Sequence, residues 1–340
     1  MTAALAAAVQ PALPRVRLAT LPTPLEAAPR LGRALCCPLL QIKREDLTGL
    51  AFGGNKPRQL EVILGAALAR GADTVVTTAG AQSNFCRAMA AACAKLGLKS
   101  ILLLRGDGSA PPTGNLLLDR LFGAEIHWID TADPYDPRVR ERLDALIAAC
   151  PGRPWLVQLP GVTGALAAAA ATALAEELAG QWAEPPRAVC LAVGSGLTAA
   201  GLLAGFARLK LSVRIVAISV QQPTGFIAPL IRRRAREALE LLGSRNEPEA
   251  ALLEVEDRFI GRGYGVPTHD SLDAVTLAAR CEGLVLDPVY TGKALAGLAA
   301  LLAEGRLDAG GPLVFVHSGG GPTLFAQTEA LARHLGGTSG

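Results

Sequence analysis

Lys56 is one of only six lysines in 340 residues, and it ends the segment Gly53-Gly54-Asn55-Lys56-Pro57 directly ahead of an amphipathic stretch of helical length. That placement points to an amine used for chemistry. The two glycines let the backbone bring the side chain to a ligand, and Pro57 suits the first helical turn because it has no N–H to leave unpaired. An ammonium at a helix N-terminus faces the positive end of the dipole, which favours the neutral, nucleophilic form. Lys95, Lys99 and Lys210 fall near the C-terminal ends of predicted helices, where a solvated cation is favourable; Lys43 and Lys293 remain open.

Three loops of small residues could meet such an amine. Ala79-Gly80-Ala81-Gln82-Ser83-Asn84, Gly194-Ser195-Gly196-Leu197-Thr198 and Ser318-Gly319-Gly320-Gly321 each follow an apolar run of strand length and precede a helical pattern. Free N–H groups at a helix N-terminus bind anions, and in open α/β sheets ligands sit at the carboxyl ends of the strands. Gly194-x-Gly196-x-x-Ala199 also fits a relaxed dinucleotide fingerprint, so a nicotinamide oxidoreductase is a competing reading. However, Ser219-Val220-Gln221-Gln222 stands where the ribose-binding acid belongs. A reactive lysine, a glycine-rich phosphate cup and a third loop at a far strand are the minimum apparatus for pyridoxal phosphate.

The elements that must position these loops alternate. Predicted strands are 39–43, 74–78, 100–105, 125–129, 155–158, 188–193, 214–219, 284–286 and 313–317. Predicted helices are 57–70, 83–96, 114–122, 137–149, 164–179, 197–209, 225–241, 271–282, 292–304 and 322–335. This order argues for parallel sheets with helices on both faces. The chain is long enough for about two domains. Half of it is hydrophobic but only 4% is aromatic, which calls for close Ala, Leu and Val contacts. A net charge of +3, spread along the chain apart from Arg232-Arg233-Arg234, is no nucleic-acid footprint. Seven cysteines without a ladder of spacings fit no metal site and point to a reduced, cytoplasmic protein. Met1–Gln10 lacks a basic n-region and reads as a loose arm. The longest apolar run, 165–175, is too short to span a membrane.

Five separated motifs carry a resemblance: Lys43-Arg44-Glu45-Asp46-Leu47-Thr48-Gly49 with Gly53-Gly54-Asn55-Lys56; Gln82-Ser83-Asn84; Gly261-Arg262-Gly263-Tyr264-Gly265-Val266-Pro267-Thr268; Asp287-Pro288-Val289-Tyr290-Thr291-Gly292-Lys293; and His317-Ser318-Gly319-Gly320. Through them the chain resembles the D-cysteine desulfhydrase and 1-aminocyclopropane-1-carboxylate deaminase family of fold-type-II pyridoxal-phosphate enzymes. The resemblance implies an α/β fold like the tryptophan synthase β subunit, with two open, twisted, mostly parallel sheets and helices on both faces. A large cofactor-binding domain would comprise 1–56 and 164–340, with a small α/β domain inserted at 57–163. It implies pyridoxal 5'-phosphate as cofactor, a small amino acid as substrate, no nucleic acid or membrane partner, and a homodimer. The implied chemistry is β-elimination, with D-cysteine going to pyruvate, sulfide and ammonia. A cysteate sulfo-lyase or a cyclopropane-opening deaminase is the alternative within the class.

Residue by residue, the resemblance implies Lys56 as Schiff base and α-carbon base, and Asn84 as partner of the cofactor's phenolic oxygen. Ser83 and neighbouring N–H groups would hold the substrate carboxylate, with Gln82 and Phe85 beside it, and Gly194, Ser195, Gly196, Leu197 and Thr198 would hold the phosphate. Tyr264 and Tyr290 would line the pocket, Tyr290 as proton donor, and Thr291 or Ser318 would face the pyridine nitrogen. The chain departs from the family in four places. Thr291 replaces the glutamate of the deaminase branch, Phe85 replaces a histidine, Leu197 replaces a glycine, and the loop at 160–164 is shorter. His127 reads as strand packing, His334 as surface, His269 as a polar loop residue, and Cys86 as a small buried residue.

Overall fold

The computed structural model describes residues 13–109, 112–158 and 162–336; the Met1–Gln10 arm and Pro160–Gly161 of the short loop lie outside them. In chain order the elements are β1 (Leu25–Ala27), α1 (Pro29–Ala34), β2 (Leu40–Lys43), α2 (Lys56–Ala69), β3 (Thr74–Gly80), α3 (Asn84–Leu96), β4 (Lys99–Arg105), α4 (Gly114–Leu121), β5 (Glu125–Ile129), α5 (Pro137–Ala148), β6 (Pro154–Val157), α6 (Val162–Gln181), β7 (Ala188–Val193), α7 (Leu197–Leu209), β8 (Arg214–Ser219), α8 (Thr224–Leu241), β9 (Leu253–Glu256), α9 (His269–Glu282), α10 (Thr291–Ala303), β10 (Leu313–Val316), α11 (Gly321–Phe325) and α12 (Thr328–His334). They build a six-stranded sheet, β1-β2-β10-β7-β8-β9, and a four-stranded sheet, β5-β4-β3-β6. Every pairing is parallel except β1 with β2.

Two expectations are corrected, and two strands join those expected. Residues 284–286 form no strand: Leu284 and Leu286 are buried and Val285 is exposed, an alternation that mimics a strand. Their burial comes from packing in the α9–α10 core, and β10 already pairs on both sides, with β2 and β7. The 322–335 helix is two short ones, α11 and α12, separated at Ala326–Gln327. Strands β1 and β9 escape a hydrophobicity reading because Glu26, Glu254 and Glu256 occupy alternate positions in them.

The aromatic-poor interior is realised by helices in backbone contact. A Cβ on Gly201 would lie 2.3 Å from that of Ala171, and one on Gly205 would lie 2.5 Å from that of Ala175, so α6 and α7 approach more closely than larger residues would permit. Helix α6, with 20 residues, is long and apolar enough by composition to cross a bilayer, which the 165–175 run did not anticipate; 72% of its most apolar window is buried inside the protein. All seven cysteines are free. The carboxyl ends of β3 and β7 open onto one cleft between the two sheets, as the parallel topology requires.

Candidate active site

Lys56 is the first residue of α2, and a buried ionic network fixes the start of that helix. Arg58 grips Glu45 in two hydrogen bonds of 3.0 and 2.6 Å and reaches Glu177 at 3.1 Å; Lys43 donates to the same Glu177 at 2.5 Å. Lys43 is therefore an anchor, which settles one of the open lysines. The glycines ahead of Lys56 are required: a Cβ on Gly53 would sit 1.9 Å from the Asp46 carbonyl oxygen, and Gly53 and Gly54 both have positive φ, 62° and 102°. Gly54 lies against Gly319, and the Asn55 N–H donates to the Ser318 carbonyl at 3.1 Å, so the lysine loop is docked on the loop after β10.

The Lys56 side chain is half-buried, crowded by protein on the α2 side and open to the cavity on the other. Burial, followed by the positive charge of Arg87, lowers its pKa to about 8, so a substantial share is neutral near physiological pH. Arg87 is fully buried and donates to the carbonyls of Ala51 and Gly53, the latter at 3.1 Å.

Lys56 faces a cavity of about 350 Å³ that also receives Ser83, Asn84, Phe85, Gly194, Ser195, Gly196, Leu197, Thr198, Tyr264, Tyr290 and Ser318. Residues from five separate motifs thus meet in one place. Ser83 caps α3, its hydroxyl oxygen accepting from the N–H groups of Phe85 and Cys86, which leaves its proton to donate. The Asn84 carbonyl oxygen accepts from the Asn115 amide at 2.8 Å and the Thr323 hydroxyl at 3.2 Å, which leaves its NH₂ for an acceptor in the cavity. The Thr198 oxygen accepts from Asn55 at 2.8 Å and Gln59 at 3.1 Å, so its proton too is free for a ligand. Gly196, with φ of 78°, turns the chain into α7. Leu197 has ordinary helical backbone and a side chain in the main core, so replacing glycine there introduces no backbone strain.

Tyr264 and Tyr290 meet edge to face with their hydroxyl oxygens 2.5 Å apart. Burial raises the pKa of Tyr264, and burial with the neighbouring phenol raises that of Tyr290 well above the ordinary phenol value; both are protonated at neutral pH, one hydroxyl donating to the other and leaving one proton for the cavity. The Tyr290 ring rests against Gly194, where a Cβ would approach to 3.3 Å.

Two expected contacts are corrected. The Gln82 side chain turns towards α4, donating to the Thr113 carbonyl at 2.9 Å and accepting from the Asn115 N–H at 2.9 Å, so it lines no part of the cavity. Thr291 is fully buried, and its hydroxyl pairs with the Asp287 carboxylate at 2.8 Å, which leaves Ser318 as the hydroxyl facing the cavity. Sequence reasoning missed Arg87, Arg105, Asp287 and Lys293. Of these only Asp287 and Lys293 fall inside a quoted motif, and their roles depend on which backbone groups they reach. His269 is exposed on α9, where with Asp273 and His334 it places ligand atoms within 4.8 Å of one another, away from the cavity.

An open α/β fold with a depressed lysine pKa, a helix N-terminal cup and a cleft between two mostly parallel sheets is the arrangement that a phosphorylated aldehyde cofactor requires. The chain belongs to the pyridoxal-phosphate dependent enzyme family, whose signature matches residues 16–319. It is 38% identical over 320 residues to a D-cysteine desulfhydrase of Salmonella choleraesuis (strain SC-B67), covering 92% of this chain and 96% of the relative. A D-cysteine desulfhydrase of Salmonella paratyphi C (strain RKS4594) is 37% identical over the same shares. Among solved structures, one described as an ACC deaminase homologue superimposes with a TM-score of 0.86 at 34% identity, covering 95% of this chain and 96% of that one.

Proposed function

We propose that the protein eliminates the β-substituent of a small amino acid, with D-cysteine as the reference substrate giving pyruvate, hydrogen sulfide and ammonia with uptake of one water. What supports this reading is the convergence of Lys56, Ser83, Asn84 and Tyr290 on one cavity, in a chain that aligns over nearly its whole length with D-cysteine desulfhydrases. Bound pyridoxal phosphate supplies the electron sink that makes an α-proton removable.

The chain's own residues supply the rest. Lys56 would carry the cofactor and, as a neutral amine, hold the α-proton at Nζ. The N–H groups of 194–198 with the Ser195 and Thr198 hydroxyls would hold the phosphate, and the Asn84 NH₂ would donate to the phenolic oxygen. The Ser83 hydroxyl proton and the Asn84 N–H, the first of α3, would hold the substrate carboxylate. Protonated Tyr290 would donate towards the sulfur, which leaves with the electron pair of the broken C–S bond.

One observation favours a second substrate in the same class. Arg105 ends β4 in register with Gly80, on the sheet face from which a Gly80 Cβ would look at the Tyr264 ring at 3.8 Å. It lines the cavity, where its charge would favour an anionic β-substituent such as the sulfonate of cysteate. Keto-acid release from D-cysteine, L-cysteine, D-serine, cysteate and aminocyclopropane-carboxylate tests both readings; release from none of them would overturn the proposal.

The same reading includes a homodimer, by family resemblance, and a reducing cytoplasm, in line with seven free cysteines. It also includes the division into 1–56 with 164–340 and an inserted 57–163, in line with the four-stranded sheet using only residues 74–157.

A further inference from the structure

We infer that Lys293 is a positioning residue that holds the glycine-rich 260–265 loop in the conformation bringing the Tyr264 hydroxyl onto Tyr290. Lys293 is fully buried in the first turn of α10, and its ammonium donates to the carbonyl oxygens of Ile260 at 2.7 Å and Gly263 at 3.3 Å. A loop with positive φ at Gly261, Gly263 and Gly265 (67°, 136° and 81°) has many conformations open to it, and a buried cation gripping two of its carbonyls selects one.

The same turn of α10 fixes the other tyrosine. The Asp287 carboxylate accepts from the N–H groups of Val289, Tyr290 and Thr291 at 3.0, 2.9 and 3.0 Å. Asp287 therefore sets the backbone of Tyr290 while Lys293, six residues on, sets the loop of Tyr264. The two buried charges attract: Asp287 opposes the burial that lowers the Lys293 pKa to about 8. Methionine at 293 would keep the packing and lose the grip.

The chain has only three tyrosines, and of these only Tyr135 is exposed, so the ionisation of the pair can be read by the near-ultraviolet absorbance of tyrosinate. Wild-type holoenzyme should hold two phenols above the ordinary range of about 10. Lys293→Met, folded and loaded with cofactor, should bring Tyr264 back towards it, and Lys293→Arg should restore part of the wild-type curve. An unchanged titration in Lys293→Met overturns the inference. The value of the pair for turnover rests on the proposed function and is read separately: kcat should fall by up to about 100-fold in Lys293→Met, the scale of a misplaced catalytic group, with KM little changed. Full activity in Tyr290→Phe, with the titration still shifted in Lys293→Met, would remove Tyr290 from the chemistry while leaving Lys293 as the residue that positions the pair.

Discussion

Arg87 and Lys56 are two cations sharing one enclosed loop: Arg87 donates to the carbonyls of Ala51 and Gly53, and its charge adds to burial in lowering the Lys56 pKa to about 8. A lysine placed so is neutral in larger part just above that pH, so any step that needs the free amine should accelerate as pH rises through about 8. Arg87→Met removes a positive neighbour and should raise the lysine pKa, moving the limb to higher pH. The rate at which apo-protein takes up pyridoxal phosphate, followed by absorbance against pH, reads this without turnover. An unmoved limb would show that burial alone sets the amine.

Lys56→Ala should abolish both keto-acid release and the absorbance of lysine-bound cofactor. Lys43 and Lys293 cannot substitute, because their ammonium groups are committed, one to Thr23, Glu177 and Gln181 and the other to Ile260 and Gly263. Borohydride reduction and peptide mapping of the wild type should place the pyridoxyl group on Lys56. An adduct on either other lysine would sink the assignment.

The alternation of strands and helices, the lysine loop and the 194–198 turn into α7 that lines the cavity were legible in the sequence because each has a local signature: periodicity, glycine before a helix, a small-residue turn. The fates of Gln82 and Thr291 were not. Both sit in motifs beside pocket residues, but a side chain's direction is set by partners far along the chain or by its own helix turn, Asn115 for the one and Asp287 for the other. Arg87 was invisible for the same reason. Its acceptors, Ala51 and Gly53, are backbone carbonyls, which carry no residue identity.

Ser195→Ala should weaken cofactor binding by only about 1–2 kcal/mol, the scale of one hydrogen bond to a charged group, since most donors in the 194–198 turn are backbone N–H groups. Competition of apo-protein for pyridoxal phosphate at fixed pH measures the change. A loss many times larger would mean that the serine hydroxyl, and not the α7 N-terminus, is the principal phosphate ligand.

Asp119 should make stability pH-dependent. Both of its carboxylate oxygens are buried with no hydrogen-bond partner among the described residues, and burial pushes its pKa up to about 8 against the pull of Arg87. A carboxyl whose folded pKa lies above its unfolded value of about 4 favours folding in its protonated form, so its contribution declines as pH rises from about 4 to about 8 and then levels off. Asp119→Asn carries no such titration. Its urea midpoint should therefore gain on the wild type across that interval, and parallel midpoints would refute the assignment of a protonated Asp119.

Phe85 should restrict turnover of D-cysteine. It lines the cavity yet is only 6% exposed, since its ring belongs to the main hydrophobic core, and it stands where the family resemblance places a histidine. A missing polar contact in a closed pocket is worth about 1–3 kcal/mol, or one to two orders of magnitude in rate. The wild type should therefore desulfhydrate D-cysteine slowly, and Phe85→His should raise kcat/KM while lowering the melting temperature, because a smaller, polar ring replaces a core aromatic. The two readouts separate the alternatives. A lower melting temperature with no gain in rate would mean that position 85 serves packing alone, and fast turnover by the wild type would show that the apolar wall does not hinder this substrate.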